Sequence, residues 1–193
     1  MATDDQARWD KQFAQSSGTA APAGFLREIL ESRAWSLPCG RALDLACGKG
    51  RNSLYLAERG FKVVAMDISS VALVEGQARA EAKQLSIDWR QGDLEAVQFD
   101  EAEFDLIVSF NYLQRSLIRQ IKRAVRTGGH VICETYLIDQ MAMGHPKNPD
   151  YLLRHNELLE HFQDFRVLYY REGQFSEGGE ASYRAGILAQ RIA

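Results

Sequence analysis

The chain has few cysteines and no long apolar run. Its 193 residues include three cysteines, Cys39, Cys47 and Cys133. Their spacings match no zinc or redox motif, so we expect reduced thiols in or near the core and no bound metal. No apolar run approaches the ~20 residues that cross a bilayer, and the polar, acidic residues 1–10 are not a secretory signal. These absences predict a cytoplasmic protein without membrane contact.

The chain also lacks a basic excess, internal repeats and low-complexity linkers. Its formal net charge is −3 and its pI is near 5.8. This balance argues against a nucleic-acid partner, because nucleic-acid binders usually have a strongly basic face. The composition is that of an ordinary globular protein, and the length allows one domain with a sizeable core. We expect a single domain over residues 1–193 that acts on a small molecule, and the sequence leaves its oligomeric state open.

Apolar runs alternate with helical patterns from residue 22 to about 134, which is typical of a parallel sheet with crossover helices. The predicted strands in this part are 41–46, 61–66, 87–90, 104–110 and 130–133. Helices are predicted from Pro22, over 52–59, from Ser69 or Ser70 to about 83, and along the stripe Leu113, Leu117, Ile121 and Val125, ended by Gly128-Gly129. A loop-like stretch follows over 135–153, then a short helix over 156–162. Two closing strands, about 165–172 and 181–191, are joined by Gly178-Gly179.

A glycine-containing turn after the first strand is the most informative stretch. Gly48 and Gly50 stand where a helix begins, and glycine lets the backbone approach a ligand closely. The free N–H groups and positive dipole end of that helix suit a carboxylate. Asp67 ends the next strand, where its carboxylate can accept both ribose hydroxyls of a nucleoside. Ser53 stands where the dinucleotide fingerprint has a third small residue, so an NAD site is an alternative.

Three features favour a different nucleoside cofactor. Asp44 lies near the end of its strand, beside the place for a positively charged amino acid. Gly92-Asp93 follows the third strand, where a carboxylate can accept from an adenine amine. The closing hairpin is unusual for NAD domains.

These residues resemble the class I S-adenosylmethionine-dependent methyltransferases. Asp44 to Gly50 looks like their glycine-rich first motif, and Asp67 and Asp93 match their ribose-side and adenine-side acids. The resemblance covers about residues 38–193. It implies a Rossmann-like α/β fold whose seven-stranded, mostly parallel sheet has a C-terminal antiparallel hairpin, a reversed last strand and helices on both faces. It also implies S-adenosylmethionine as the cofactor and S-adenosylhomocysteine as the product. The cofactor-binding residues implied are Asp44, Ala46, Cys47, Gly48, Gly50, Asn52, Asp67, Ile68, Asp93, Leu94, Phe110 and Trp9. Ala46 stands where many members have glycine, and because alanine is small we expect little loss.

A narrower resemblance is to the bacterial branch related to tellurite-resistance and thiopurine methyltransferases. It rests on Trp9-Asp10, the run from Asp44 to Asn52, Asn111-Tyr112-Leu113-x-Arg115, Glu134-Thr135 and the run from His145 to Pro149. Thr127 replaces the proline often found before the paired glycines. The branch implies a small-molecule acceptor, such as a thiol or a chalcogen oxyanion, without fixing it. The alternatives are an NAD-dependent oxidoreductase, a methyltransferase acting on a macromolecule, and a non-catalytic cofactor-binding protein.

The acceptor is expected where the fourth and fifth strands end, at 109–112 and 134–136, with the 135–153 loop above as a substrate-side loop. A thiolate or a reduced chalcogen anion needs no general base. Glu134, Tyr112 and His145 are the candidate catalytic residues, followed by Tyr136 and His155. Two competing roles are that Glu134 anchors the loop by accepting backbone N–H groups and that Tyr112 packs beside the cofactor. Arg115 is either a salt-bridging helix residue or a substrate clamp. The basic loop residues His145, Lys147 and Arg154 indicate either a solvated loop or recognition of an anionic substrate.

The polar residues 1–20 are interpreted as a lid. Trp9 and Phe13 lie four residues apart, on one face if the segment is helical. Two aromatic rings on a polar tail need somewhere to bury, and 16–18 is the expected hinge. The lid hypothesis is that the segment becomes ordered over bound cofactor, and the competing hypothesis is permanent packing on the domain.

Overall fold

One seven-stranded sheet runs through the fold. The computed structural model describes residues 2–16, 21–177 and 179–192. The strands are β1 (Arg41–Leu45), β2 (Lys62–Asp67), β3 (Ile87–Gln91), β4 (Phe104–Phe110), β5 (Val125–Tyr136), β6 (Arg166–Glu177) and β7 (Glu180–Gln190), in the spatial order β3-β2-β1-β4-β5-β7-β6. The first five pair in parallel, and β7 lies antiparallel between β5 and β6. The predicted mostly parallel sheet with a reversed last strand is confirmed.

Helices cover both faces of this sheet. They are α1 (Ala2–Gln15), α2 (Gly24–Glu31), α3 (Arg51–Glu58), α4 (Ser70–Ala82), α5 (Ile118–Ala124) and α6 (Glu157–His161). Alternate residues of a strand point to opposite faces, and the core accordingly divides into two clusters. One cluster packs apolar side chains of α2, α3 and α4 on the sheet, and the other packs those of α5 and α6. Burial on both faces explains why β1, β2 and β4 read as continuous apolar runs.

The order of the strands reverses between β1 and β4. Strands β2 and β3 extend the sheet to one side of this point, and strands β5, β7 and β6 extend it to the other. In open α/β sheets the ligand crevice lies outside the carboxyl ends of the strands at such a reversal. The fold therefore divides the crevice into a half above β1 and β2 and a half above β4 and β5.

The segment after β4 differs from the prediction. A 3₁₀ turn over Arg115–Leu117 leads into α5, which ends at Ala124, and β5 begins at once with Val125. The prediction that Gly128-Gly129 ends a helix is therefore wrong. The register between β4 and β5 shifts between Phe104 and Leu106, and Gly128 lies opposite that irregularity with φ +81°. A glycine in this conformation is a typical bulge residue, so the paired glycines bend a strand.

The stretch between β5 and α6 is more ordered than its loop-like sequence indicates. It contains two 3₁₀ helices, Ile138–Ala142 and Pro149–Tyr151. An isolated parallel bridge joins Leu137 to Leu153, both of which are buried. The bridge closes the stretch at its base. The closing hairpin is also longer than predicted, although Gly178 of its predicted turn lies outside the described residues.

Candidate functional site

The turn after β1 is built from left-handed residues. Ala46, Gly48 and Gly50 have φ values of +52°, +54° and +76°. The N–H of Gly48 donates to Asp67 Oδ2 at 2.7 Å, which ties the turn to the end of β2. A Cβ atom at Gly50 would overlap the ring of Trp89. Gly50 is therefore required both by its backbone conformation and by packing.

The backbone conformation of Ala46 costs free energy, which the small size of its side chain does not indicate. Its φ lies in the left-handed region, where a Cβ atom crowds the following carbonyl by about 1–2 kcal/mol. The expectation of little loss considered only side-chain volume. The backbone, rather than the methyl group, makes glycine the better residue at this position.

Asp44 is a buried carboxylate at the end of β1. Only 1% of the residue is exposed, and Oδ2 accepts a hydrogen bond from the Ser53 hydroxyl at 2.6 Å. Burial raises the pKa of Asp44 to about 7, against the opposing effects of the Ser53 hydrogen bond and the positive charge of Arg51. Ser53, which sequence reasoning weighed only as a small residue, is therefore a direct partner of this acid.

Asp67 holds the ends of two elements together. Its Oδ2 atom accepts from the N–H of Gly48, and its Oδ1 atom accepts from the N–H of Ser69 at 2.9 Å, where α4 begins. Burial raises its pKa, although these backbone hydrogen bonds oppose the shift. The hydrogen-bond donors described for Asp44 and Asp67 are neutral. The pair thus suits a ligand that brings an ammonium group and hydroxyls, which are the groups of S-adenosylmethionine.

Apart from Trp9 of α1, the remaining predicted cofactor residues lie at or after the carboxyl ends of β1, β2, β3 and β4, or in the first turn of α3. Asp93 Oδ1 accepts from the N–H of Glu95 at 2.9 Å, and Leu94 is buried in the core. The carbonyl of Ile68 accepts from Gln91 at 3.3 Å. Asn52 accepts from the N–H of Ala23 at 2.9 Å and so positions the start of α2. Cys47 and Phe110 are buried in the cluster beneath α2.

Tyr112 follows β4 and packs, partly buried, against the core cluster that contains side chains of α5 and α6. Burial raises the pKa of its phenol well above the ordinary value, and the charges of Glu95 and Asp93 raise it further. The charge of Asp67 contributes in the same direction. The acids of the β1–β2 half thus act on Tyr112 electrostatically, and its packing beside the cofactor stays a prediction.

Helix α1 covers the glycine-containing turn. Its Asp10 carboxylate accepts from the Ser69 hydroxyl at 2.6 Å and from the N–H of Val71 at 3.2 Å, at the start of α4. The Phe13 ring stands 3.1 Å from where a Cβ atom of Gly48 would lie. Trp9 packs on Phe13 with ring centroids 5.8 Å apart. The two aromatic residues thus share a helix face, as predicted, and that face lies on the domain. Residues 17 and 18 of the expected hinge lie outside the described residues.

Glu134 pairs with arginine side chains of the closing hairpin. It is 1% exposed, and its Oε1 atom accepts from Arg171 Nη2 at 2.6 Å and Nε at 3.2 Å. Its Oε2 atom lies 3.8 Å from Arg184 Nη1. The carboxylate serves as the counter-ion of two arginines, a role that sequence reasoning did not consider.

Arg184 connects this pair to the end of β4. Its Nη1 atom donates to Asn111 Oδ1 at 2.7 Å, and its guanidinium lies 4.1 Å from the centroid of the Tyr136 ring. Sequence reasoning missed both Arg171 and Arg184. A sequence pattern could nevertheless have identified Arg184, because it is the one charged residue in the run from Ala181 to Ala189 and so is unusual in a strand of that composition.

Arg115 fastens the 135–153 loop to its surroundings. It donates to both carboxylate oxygens of Glu157 at 2.6 and 3.1 Å, and to the carbonyls of Asp150 and Leu152 at 2.9 Å. Although burial opposes the shift, Arg115 holds the pKa of Glu157 down to about 2. These contacts favour the salt-bridging interpretation of Arg115 over the substrate clamp.

The basic residues of the loop divide into paired and exposed groups. Arg154 forms ion pairs with Glu157 and Glu160. His155 Nε2 lies 2.6 Å from Asp139 Oδ2, and this contact raises the pKa of His155. His145 and Lys147 are exposed. Only His145 and Lys147 are therefore left for an anionic substrate among the basic residues singled out in the loop.

Within 2–16, 21–177 and 179–192, no group of three or more His, Cys, Asp or Glu side chains is arranged to hold a metal ion. Among the same residues, no helix has both the length and the apolar character needed to cross a membrane.

Sequence comparison identifies relatives for most of the chain. A family described as a methyltransferase domain matches residues 42–129. TehB of Haemophilus influenzae strain Rd, named a probable S-adenosyl-L-methionine-dependent methyltransferase, is 30% identical over 168 residues, which cover 83% of this chain and 56% of that protein. Its counterpart from strain 10810 is 32% identical over 143 residues, covering 70% and 49%. The chain thus spans about half the length of these curated relatives.

Comparison of structures gives the same result. The crystal structure of Haemophilus influenzae TehB superposes with a TM-score of 0.75 at 26% identity, covering 95% of this chain and 67% of that one. A structure described in connection with conversion of a disulfide bond into a thioacetal group during echinomycin biosynthesis has a TM-score of 0.74, covering 97% and 92%. At 18% identity, that second likeness extends to the fold alone.

Proposed function

Because the chain belongs to the class I S-adenosylmethionine-dependent methyltransferases, in the branch of TehB, we propose that it transfers a methyl group to a small-molecule acceptor, a thiol or a chalcogen oxyanion. The observation that carries this proposal is the pair of buried acids, Asp44 and Asp67, joined through the turn at Gly48. S-adenosylmethionine, when bound, supplies a methyl group on a positively charged sulfur. Asp44 would receive the ammonium group of the donor and Asp67 its ribose hydroxyls.

The acceptor belongs to the half of the crevice above β4 and β5 in this proposal. Asn111 and Tyr112 follow β4, and Tyr136 ends β5. We assign Tyr112 to packing against the donor, and we assign the substrate-side loop with its exposed His145 and Lys147 to the acceptor. A thiolate or a chalcogen anion attacks without a general base. The main work of the chain is then alignment and exclusion of water, which supply up to about 7–11 kcal/mol.

A binding experiment tests the donor, and a turnover experiment tests the acceptor. Calorimetric titration should give saturable binding of S-adenosylhomocysteine and no binding of NADH. Donor consumption should then occur with members of a panel of thiols, selenite and tellurite. Binding of NADH alone would point to an oxidoreductase. Donor binding with turnover only on RNA or protein would overturn the small-molecule assignment.

We also propose that α1 acts as a lid over the donor. Asp10 caps α4 beside Asp67, and Phe13 covers Gly48, so the helix stands over both donor-binding segments. Hydrogen exchange over residues 5–16 should slow when S-adenosylhomocysteine binds, because closure orders the helix. Strong protection with and without ligand would instead favour permanent packing, and fast exchange in both states would exclude any role in closure.

A further inference from the structure

A groove of about 520 Å³ lies between α5 and the stretch 160–165 at the end of α6. Five basic side chains line it: Arg115, Arg119, Lys122, Arg123 and Arg191. Its acidic side chains are Glu160 and Asp164, so the lining has a formal charge of +3, whereas the chain as a whole has −3. The groove therefore carries a charge opposite to that of the rest of the protein.

Three of these basic residues are fixed by contacts within the fold. Arg115 is held by the contacts with the substrate-side loop and Glu157 that are described above. Lys122 donates to the His161 carbonyl at 3.1 Å and pairs with the Asp164 carboxylate. Arg191 donates through Nη1 to three carbonyls at the end of α5, at 2.8 to 3.3 Å. These contacts give the groove a fixed frame.

Arg119 and Arg123 are the two basic residues of the groove that the fold does not pair. Both are exposed, and within the described ranges neither side chain has a hydrogen-bond or ion-pair partner. They lie four residues apart on one face of α5, and like charges at that spacing destabilise a helix. The helix dipole favours Arg123 in the last turn but opposes Arg119, the second residue of α5. An anion from outside the chain would offset both unfavourable effects.

The shape and charge of the groove indicate which anion fits. A guanidinium presents paired N–H donors that match the oxygens of a phosphate, and a phosphate monoester has a charge of about −1.5 to −2 at pH 7. The volume falls in the range of about 300–1,000 Å³ that is typical of pockets for small organic molecules. Ile118 and Phe165 give the groove an apolar wall. The ligand thus has room for an organic body as well as a phosphate.

We propose that this groove binds a phosphorylated small molecule. Arg119 and Arg123 hold the phosphate, and the organic part lies against Ile118 and Phe165. The inference goes beyond the proposed function and does not rest on it, because the groove uses none of the residues assigned to the donor or the acceptor.

The experiment is a calorimetric titration at about 0.15 M salt, where interactions between exposed charges are screened beyond about 8 Å. Saturation with S-adenosylhomocysteine keeps the probes out of the donor site. The probes are phenyl phosphate, pyrophosphate, inorganic phosphate and phenol. Phenyl phosphate should bind at least about tenfold more tightly than inorganic phosphate or phenol, because it alone meets both the arginines and the apolar wall. Pyrophosphate separates the two sources of phosphate charge, and its tighter binding would replace the ester with a polyphosphate and overturn the proposal.

Variants then assign the binding to the two arginines. The double variant Arg119→Gln with Arg123→Gln should weaken binding of phenyl phosphate at least about tenfold, without changing the affinity for S-adenosylhomocysteine. Arg33→Gln with Lys62→Gln removes two exposed charges outside the groove and is the charge-matched control. The corresponding pair of lysine substitutions, Arg119→Lys with Arg123→Lys, keeps the charge of α5 and serves if the glutamine variant does not fold. It should still weaken binding several-fold, because the paired donors are lost.

Three results would contradict the proposal. Phenyl phosphate could bind no more tightly than phenol. The groove variant and the control variant could bind it equally well. Hexaglutamate or a short oligonucleotide could bind more tightly than every phosphate probe, which would assign the groove to an acidic protein or to a nucleic acid instead.

Discussion

The two halves of the crevice are held together in different ways. Above β1 and β2, the acids bond to backbone N–H groups and a hydroxyl, as Asp67 does with Gly48 and Ser69. Above β4 and β5, a charged side chain meets charged side chains, as Glu134 does with Arg171 and Arg184. A site held by the backbone depends on a short stretch of sequence, whereas a site held by ion pairs depends on residues brought together by the fold. Substitutions in the β1–β2 half should therefore weaken ligand binding. Substitutions in the β4–β5 half should lower the stability of the protein or its selectivity for the acceptor.

The largest effect is expected from Glu134→Ala. The change leaves the charges of Arg171 and Arg184 without their buried counter-ion, and breaking a buried pair from one side costs about 3–5 kcal/mol. Denaturant unfolding measures the loss. Glu160→Ala, which removes an exposed ion pair with Arg154, is the control and should cost about 1 kcal/mol or less. If the two variants lose equal stability, the β4–β5 half is not held by its ion pairs.

Asp67→Ala should act mainly on the ligand. Each charge-assisted hydrogen bond to a ribose hydroxyl is worth about 1.5–3 kcal/mol, so binding of S-adenosylhomocysteine should weaken at least tenfold while the fold persists. Calorimetry gives the affinity and circular dichroism checks the fold. Asp88→Ala removes an exposed carboxylate of β3 and is the matched control. Unchanged affinity in Asp67→Ala would remove this residue from the donor site.

The pH dependence of donor binding should reveal Asp44. Burial raises its pKa to about 7, and only the ionised form attracts an ammonium group. Affinity for S-adenosylhomocysteine should therefore rise with pH up to about 7 and then level off, and Asp44→Asn should remove the rise. Binding of 5′-methylthioadenosine, which lacks the amino-acid part, should not change over this range. A rise that persists in Asp44→Asn would assign the titration to another group.

The same pKa shift has a second consequence, for the protein without ligand. The folded state holds the Asp44 proton up to about pH 7, whereas the unfolded chain releases it near the ordinary value of 3.8. Between these values the folded state binds more protons, so the contribution of Asp44 to the free energy of unfolding falls as pH rises. Comparison of Asp44→Asn with the wild type across this window isolates that contribution.

The smallest effect is expected from Ala46→Gly. Removing the Cβ atom at φ +52° relieves the left-handed strain, and we expect the free energy of unfolding to increase by about 1 kcal/mol. Ala57→Gly, in the ordinary helical backbone of α3, should instead decrease it by about 1 kcal/mol. Changes of opposite sign in the free energy of unfolding of the two variants would show that the left-handed backbone of the turn, rather than alanine in general, causes the strain at Ala46.

The sequence predicts the β1–β2 half more fully than the β4–β5 half. The first half is held by a short stretch of sequence, whereas the second is held by residues that the fold brings together. The turn from Asp44 to Gly50 is contiguous, and Asp67 is fixed by the end of the next strand, so a local pattern predicts both. Arg171 and Arg184 reach Glu134 only because β7 lies between β5 and β6, a pairing that no short pattern encodes. The misplaced start of β5 is a related case, because a glycine is typical both after a helix and at a bulge. The strand pairing decides between those two roles.

The bridge between Leu137 and Leu153 joins the two ends of the segment between them, so that its ends stay fixed when its length changes. Two backbone hydrogen bonds close its base, from Leu153 N to Tyr136 O at 2.8 Å and from Ile138 N to Leu153 O at 2.9 Å. The entropic cost of a closed loop grows slowly, by about 0.6 kcal/mol for each doubling of its length. Loop closure alone therefore sets little limit on the length of a segment grafted between these two leucines. A graft that keeps the contacts of Arg115 with Asp150 and Leu152 would change the substrate-side loop without changing the proposed donor site.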